Sequence, residues 1–163
     1  MNYLTLTSTI AAIIYLVIVQ IVFGKQQRSI SQTWYSFKDR NYSAAFVWFC
    51  AGVGLPMIPQ YYFVESVGAS VCLPLAGAAV CYIGIAANFK DHGITFLHNA
   101  LTVIAIALGM LAIWFEKGQQ VYWALGIFAG LTALIYLFRV NNRTTWIELS
   151  ALLTINGFLM YTR

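Results

Sequence analysis

Six apolar runs restrict what this chain can fold into more than any other feature. They cover residues 3–23, 44–63, 67–89, 95–115, 121–138 and 146–161, and the first five contain no Asp, Glu, Lys or Arg. About 20 apolar residues in a helix are enough to cross the hydrocarbon core of a bilayer. Because only 9% of the 163 residues are charged, against roughly 25% in soluble domains, the chain could not cover a water-facing surface. The sequence therefore predicts an all-α polytopic transmembrane bundle of about six spans, in one domain over residues 1–163.

Prolines mark the second and third runs as the irregular ones. The second contains Pro56 and Pro59, and the third contains Pro74. Proline removes a helix hydrogen bond, so we expect the second span to be kinked or unwound near Gln60. Only Glu65 and Ser66 separate its apolar end from the third run. A re-entrant pair is therefore the alternative to two complete spans.

The distribution of Lys and Arg predicts the orientation in the membrane. Seven basic residues fall in the first, third and fifth connections, and two fall on the other side. The seven are Lys25, Arg28, Lys38, Arg40, Lys90, Arg139 and Arg143, and the two are Lys117 and Arg163. By the positive-inside rule, the first group is cytoplasmic and both termini are outside, an N-out/C-out topology.

The first connection, residues 25–42, is amphipathic. Ile30, Trp34 and Phe37 recur at helical spacing among polar and basic residues. This pattern predicts a short helix lying on the cytoplasmic membrane surface. An interfacial anchor is one role for it, and a lid over the cytoplasmic mouth of the bundle is the other.

Small residues recur at helical spacing inside several spans. Gly77 and Gly84 share a face of the third span, Gly109 lies in a similar stripe of the fourth, and Gly126 and Gly130 form a GxxxG pair in the fifth. Small residues let membrane helices approach closely, so these positions are predicted helix-packing sites. A lined cavity or pore is the alternative reading of the stripes. For the GxxxG pair, a third interpretation is contact with a second subunit.

Three ionisable side chains are the candidate site residues. Asp91, His98 and Glu148 all lie at the predicted cytoplasmic edge, where they could converge to bind a ligand, a proton or a metal. Asp91 is also suited to cap the fourth helix. Glu148 also fits a capping box with Thr145 at the start of the sixth helix. No catalytic residues are assigned, and whether this cluster binds a metal is left open.

Other chemistries lack their residues. The sequence contains no P-loop, no GxSxG and no HExxH, and its three cysteines form no CxxC. The net charge of +4 is too small and too scattered to indicate nucleic acid. We therefore predict no cofactor and no nucleic-acid partner.

Two stretches carry a family resemblance. Residues 29–35 (SISQTWY), and residues 84–90 (GIAANFK) followed by 98–100 (HNA), resemble small six-span bacterial membrane proteins of the DUF998-like type. That resemblance implies a six-helix bundle and no particular activity. The chain is more distantly similar to the CREST group of membrane hydrolases, whose Ser, Asp and three His surround a zinc ion. The resemblance would make Asp91 and His98 two of these residues. With two histidines in the chain, the three-His set is incomplete.

Three functions follow as hypotheses. The first is a non-enzymatic integral membrane module, either a homo-oligomeric channel or transporter-like protein or a membrane subunit of a complex. The second is a lipid-binding or assembly factor, and the third is a metal-dependent lipid hydrolase of the CREST type. The predicted partners are the lipid bilayer and either a second copy of the chain or another membrane or cytoplasmic protein. The predicted location is the bacterial inner membrane.

Overall fold

The described parts of the chain are helical throughout. The computed structural model describes residues 3–23, 44–86, 92–139 and 143–160, excepting the side chains of Phe23 and of residues 92–95. The helices are α1 (Tyr3–Phe23), α2 (Ala44–Gly54), a 3-10 helix (Leu55–Tyr62), α3 (Val67–Ala86), α4 (His92–Lys117), α5 (Gln120–Leu137) and α6 (Arg143–Leu159). The prediction of a helical bundle is confirmed. The amphipathic connection with Ile30, Trp34 and Phe37, and also Asp91, lie outside the described residues.

Five helical segments among the described residues are long and apolar enough to cross a membrane. They are α1, α2 with the 3-10 helix, α3, α4 and α5. The sixth predicted span corresponds to α6, which has 17 residues and is therefore about 25 Å long. Its buried residues include Ser150, Thr154 and Asn156, so α6 is the most polar helix of the bundle interior.

The second predicted span changes its helix type earlier than the sequence suggested. The α-helix ends at Gly54, and the 3-10 helix that continues it has Pro56 in its first turn and Pro59 inside it. In an α-helix, Pro59 would lack a hydrogen bond and its ring would clash with the preceding turn. The unwinding therefore begins at Leu55, and Gln60 lies buried near the end of the segment.

Two connections at one end of the bundle are held by specific polar contacts. The backbone N–H groups of Glu65 and Ser66 donate to the Glu116 carboxylate over 3.1–3.2 Å. The Ser66 hydroxyl accepts the N–H of Ala69 at 3.1 Å, which caps the start of α3. Gly118, with φ +56°, ends α4 in the left-handed conformation and donates its N–H to the Trp114 carbonyl.

The helices pack as a closed ring. Each helix contacts the next along the chain, α1 contacts α6, and α4 also contacts α6. One apolar core lies between α3, α4, α5 and α6, around Leu73, Ile113 and Leu159. A second lies between α1, α2 and α3, where the Tyr15 ring stacks on Phe49 with centroids 4.4 Å apart.

Large apolar side chains also cover the outside. Ile13, Ile21, Val67, Val103 and Leu137 are each at least half exposed. Soluble monomers rarely expose large continuous apolar patches, whereas here large exposed apolar side chains occur on all six α-helices. An outer surface of this kind is suited to lipid, and it agrees with the five long apolar helices.

Candidate functional site

One groove contains two of the three candidate residues. Its cavity has a volume of about 120 Å³ and lies between α2, α3, α4 and α6. We call it the His98 groove, and its lining residues are Phe46, Phe49, Cys50, Val53, Met57, Val80, Ile83, His98, Thr102, Ala105, Ile106, Glu148, Leu152 and Ile155.

Helical spacing explains how α4 and α6 line this groove. The α4 residues are separated by four, three and one positions, from His98 to Ile106. The α6 residues Glu148, Leu152 and Ile155 follow the same pattern. Residues three, four and seven positions apart share one helix face. Each helix therefore turns one continuous face toward the groove.

The ionisable residues lie at the same end of the groove. His98 is six residues after the start of α4, and Glu148 is five residues after the start of α6. At 1.5 Å per residue, both lie about 8–9 Å from the first residue of their helices. Both are partly buried. The groove therefore has one end with an imidazole and a carboxylate, and it continues about 10 Å further along α6 to Ile155.

Few other polar groups line the groove. The Thr102 hydroxyl donates to the His98 backbone carbonyl at 3.0 Å, so it is used within α4. Cys50 is only 2% exposed and its thiol behaves as a small apolar group. The remaining lining residues are hydrocarbon or thioether side chains. The groove is amphipathic, with an apolar body and one polar end.

Three predictions about the polar cluster have different outcomes. His98 and Glu148 are brought to one groove, whereas Asp91 lies outside the described residues. Among the residues that the structure describes, no group of three His, Cys, Asp or Glu side chains could hold a metal ion. The capping box has the wrong register, because α6 begins at Arg143 and makes Thr145 its third residue.

The predicted packing glycines of α3 lie where two backbones meet. A methyl group at Gly77 would lie 2.5 Å from the Gly54 carbonyl oxygen, and one at Gly54 would lie 2.6 Å from the Gly77 carbonyl oxygen. At Gly84 the nearest atom would be Cys50 Cβ, at 2.7 Å. We call this contact of α2 and the 3-10 helix with α3 the α2–α3 crossing.

The other predicted glycines differ among themselves. A methyl group at Gly109 would lie 2.6 Å from Ile155 Cδ1, so this glycine belongs to the contact between α4 and α6. At Gly126 and Gly130, no atom of the structure lies within 4 Å of an added methyl group. The GxxxG pair therefore packs against nothing in the described part of the chain.

Some residues of the interior were not singled out in the sequence. Asn156, which is 1% exposed, donates from Nδ2 to Ser8 Oγ at 3.3 Å and to Thr9 Oγ1 at 3.1 Å. These bonds join α6 to α1. The signal was present, because an Asn inside an apolar span needs a partner on another helix. The apolar groove wall gave no such signal, since a buried apolar face and a lipid-facing one have the same composition.

No family model, no curated protein and no solved structure matches this chain. The two family resemblances therefore stay predictions.

Proposed function

We propose that the protein is a non-enzymatic integral membrane module that binds an amphiphile in the His98 groove. The alkyl part of the amphiphile would lie between Phe49, Val53 and Leu152, and its polar group would meet His98 and Glu148. The observation that carries this proposal is the amphipathic lining of the groove, apolar along its length and ionisable at one end.

The size of the groove supports an alkyl chain as the occupant. An apolar cavity of about 150 Å³ inside a protein binds benzene and excludes water. The His98 groove, at about 120 Å³, has room for a comparable short stretch of hydrocarbon. Burial of apolar groups in such a site is favourable, whereas isolated water would lack hydrogen-bond partners. The His98 imidazole and the Glu148 carboxylate supply the polar contacts that would orient the occupant.

A channel through a single chain and a zinc hydrolase receive less support from the described residues. Two apolar cores fill the interior of the ring, which does not favour a polar path through a single chain. A zinc hydrolase requires a ligand set that the described residues lack. A binding module needs neither feature.

The location and topology belong to the same proposal. The five long apolar helices and the apolar outer surface favour an integral membrane protein, and we propose the bacterial inner membrane. The seven-to-two distribution of basic residues favours an N-out/C-out arrangement with α6 as a sixth span. The polar end of the His98 groove would then face the cytoplasmic leaflet.

The test fills the groove without changing the outer surface. Ala105 lines the groove, whereas Ala107 is an exposed residue two positions further along α4. Protein purified in mild detergent should retain an amphiphile that solvent extraction and mass spectrometry detect. Ala105→Leu should abolish this retention, and Ala107→Leu should preserve it. The proposal would be contradicted if both variants retained the same amount of amphiphile while their gel-filtration elution volume and melting temperature stayed at the wild-type values.

The polar end is tested separately. His98→Ala and Glu148→Gln should each reduce the retained amount, or change which headgroup is retained, because each removes a polar contact. Asn99→Ala is the matched control, since Asn99 is exposed and follows His98 directly. If retention is the same in all three variants, then His98 and Glu148 have no part in binding.

Homo-oligomerisation through α5 is the second candidate, and the open surface over Gly126 and Gly130 favours it. A GxxxG pair with nothing packed on it leaves space for a helix of another subunit. Gly126→Leu combined with Gly130→Leu should reduce the particle mass in mild detergent to that of a monomer. Gly157→Leu is the control, because Gly157 of α6 is also open. An unchanged particle mass in the double variant would exclude this face as the interface.

A further inference from the structure

A second cavity lies at the other end of the bundle, between α5 and α6. Its volume is about 460 Å³, and we call it the α5–α6 cleft. Lys117 and Gln120 lie at one end, and Ile127, Leu131, Leu153 and Phe158 are the apolar side chains along it. The cleft shares no lining residue with the His98 groove.

The length of the cleft corresponds to one leaflet. Gln120 is the first residue of α5 and Leu131 lies eleven positions further. At 1.5 Å per residue, this separation is about 16 Å along the helix axis. The hydrocarbon core of a bilayer is about 30 Å thick, so the cleft is about as long as one leaflet is deep. This is the depth of one acyl chain in its leaflet.

The polar groups of the cleft are confined to its mouth. Thr154 lines the deeper part, but its hydroxyl donates to the Ser150 carbonyl at 2.7 Å. Gly157, also in the wall, has no atom within 4 Å of an added methyl group, so the cleft is open there. Among the described residues that line the cleft, Lys117 alone is charged.

We propose that the α5–α6 cleft binds an anionic phospholipid of the leaflet at the C-terminal end of α4. The Lys117 ammonium would pair with the phosphate and the anionic headgroup, and one acyl chain would lie along Ile127, Leu131 and Leu153. Basic pockets between membrane helices bind anionic headgroups in this way. The site rests on the membrane insertion proposed above, but not on any ligand of the His98 groove.

Native mass spectrometry of the full chain in mild detergent tests this site. The probes are phosphatidylglycerol and phosphatidylcholine with identical acyl chains, each added at the same concentration. The wild type should retain phosphatidylglycerol in preference to phosphatidylcholine. Lys117→Gln should reduce phosphatidylglycerol retention about fivefold, which corresponds to roughly 1 kcal/mol for one basic residue near the membrane surface. Lys117→Arg should restore it.

Two control variants separate the site from general effects of charge and size. Arg139→Gln removes the same charge from the exposed turn after α5 and should leave the preference intact. Gly157→Leu should fill the cleft and reduce retention of both lipids, whereas Ala107→Leu, at an exposed position of α4 outside the cleft, should not. The site would be overturned if Lys117→Gln and Arg139→Gln lost the same amount of bound phosphatidylglycerol. Unchanged lipid retention in Gly157→Leu would also overturn it.

Failure of the membrane proposal would look different. A protein that alkaline carbonate removes from membranes is not inserted, and both proposals then fall. If the protein stays in the membrane fraction but retains the two lipids equally, only the proposed lipid site in the α5–α6 cleft is contradicted.

Discussion

The α2–α3 crossing and the outer face of α5 both carry glycines at helical spacing, but they differ in what surrounds them. At the crossing, the Gly54 and Gly77 carbonyl oxygens lie 2.5–2.6 Å from where the other glycine would carry a methyl group. On α5, Gly126 and Gly130 have nothing within 4 Å of that position. The same sequence pattern therefore permits a close helix contact in one region and leaves an open surface in the other.

This difference separates two uses of small residues in a membrane protein. Between α2 and α3, glycine is required because the backbone of one helix occupies the place of a side chain on the other. On α5, glycine is not required by the fold of one chain, so any requirement for it must come from lipid or from another subunit. Stability measurements can therefore distinguish the two regions.

The largest effect is expected at the crossing. Gly77→Ala would place a methyl group against the Gly54 carbonyl, a backbone atom that can move only if α2 and α3 separate. Overpacking of this kind typically lowers the free energy of unfolding by 1–3 kcal/mol, and we expect about 3 kcal/mol here. Unfolding by a denaturing detergent, followed by circular dichroism, measures the change. A loss below about 0.5 kcal/mol would show that the crossing is looser than the structure indicates.

A smaller effect is expected at Gly109. A methyl group there meets Ile155 Cδ1, the end of a flexible side chain that can change its rotamer. We expect Gly109→Ala to lower the free energy of unfolding by about 1 kcal/mol. Ile155→Val removes Cδ1, so the double variant should be more stable than the sum of the single effects predicts. Strict additivity in the same unfolding assay would contradict this contact.

The smallest effect is expected on α5. Gly126→Ala and Gly130→Ala place methyl groups in open space, and alanine is favoured over glycine in helices by roughly 0.5–1 kcal/mol. The unfolding free energy of the monomer should therefore be unchanged or slightly raised. A loss comparable to that of Gly77→Ala would mean that this face is packed within one chain, and the comparison of the two regions would fail.

Much of the helix layout could be predicted, because lipid selects for long runs without charge. The apolar run 3–23 has the bounds of α1, and 121–138 differs from α5 by one residue at each end. Pro56 and Pro59 indicated a break in the second span, but not its start at Leu55. The break was expected near Gln60, whereas the turn that Pro59 disrupts begins four residues before this proline.

The site could be predicted only at its polar end. His98 and Glu148 were placed together because topology gives them one depth, and the His98 groove contains both. The apolar wall could not be predicted, since in lipid a buried face and a lipid-facing face have the same composition. The sequence could not predict that Gly126 and Gly130 face open space whereas Gly77 contacts another backbone, because this depends on which helices are neighbours.

The His98 groove lies near the start of α4 and the α5–α6 cleft at its C-terminal end, so the orientation of α4 decides which leaflet each cavity faces. Five segments are long and apolar enough by length and composition, and α6 decides between five crossings and six. The direct measurement is a pair of fusions after Arg163, one to alkaline phosphatase, which is active outside, and one to a fluorescent protein that folds only in the cytoplasm. Six crossings predict phosphatase activity and no fluorescence there, with the reverse for fusions at Gln32 in the first connection. Fluorescence after Arg163 would contradict the N-out/C-out bundle of six spans.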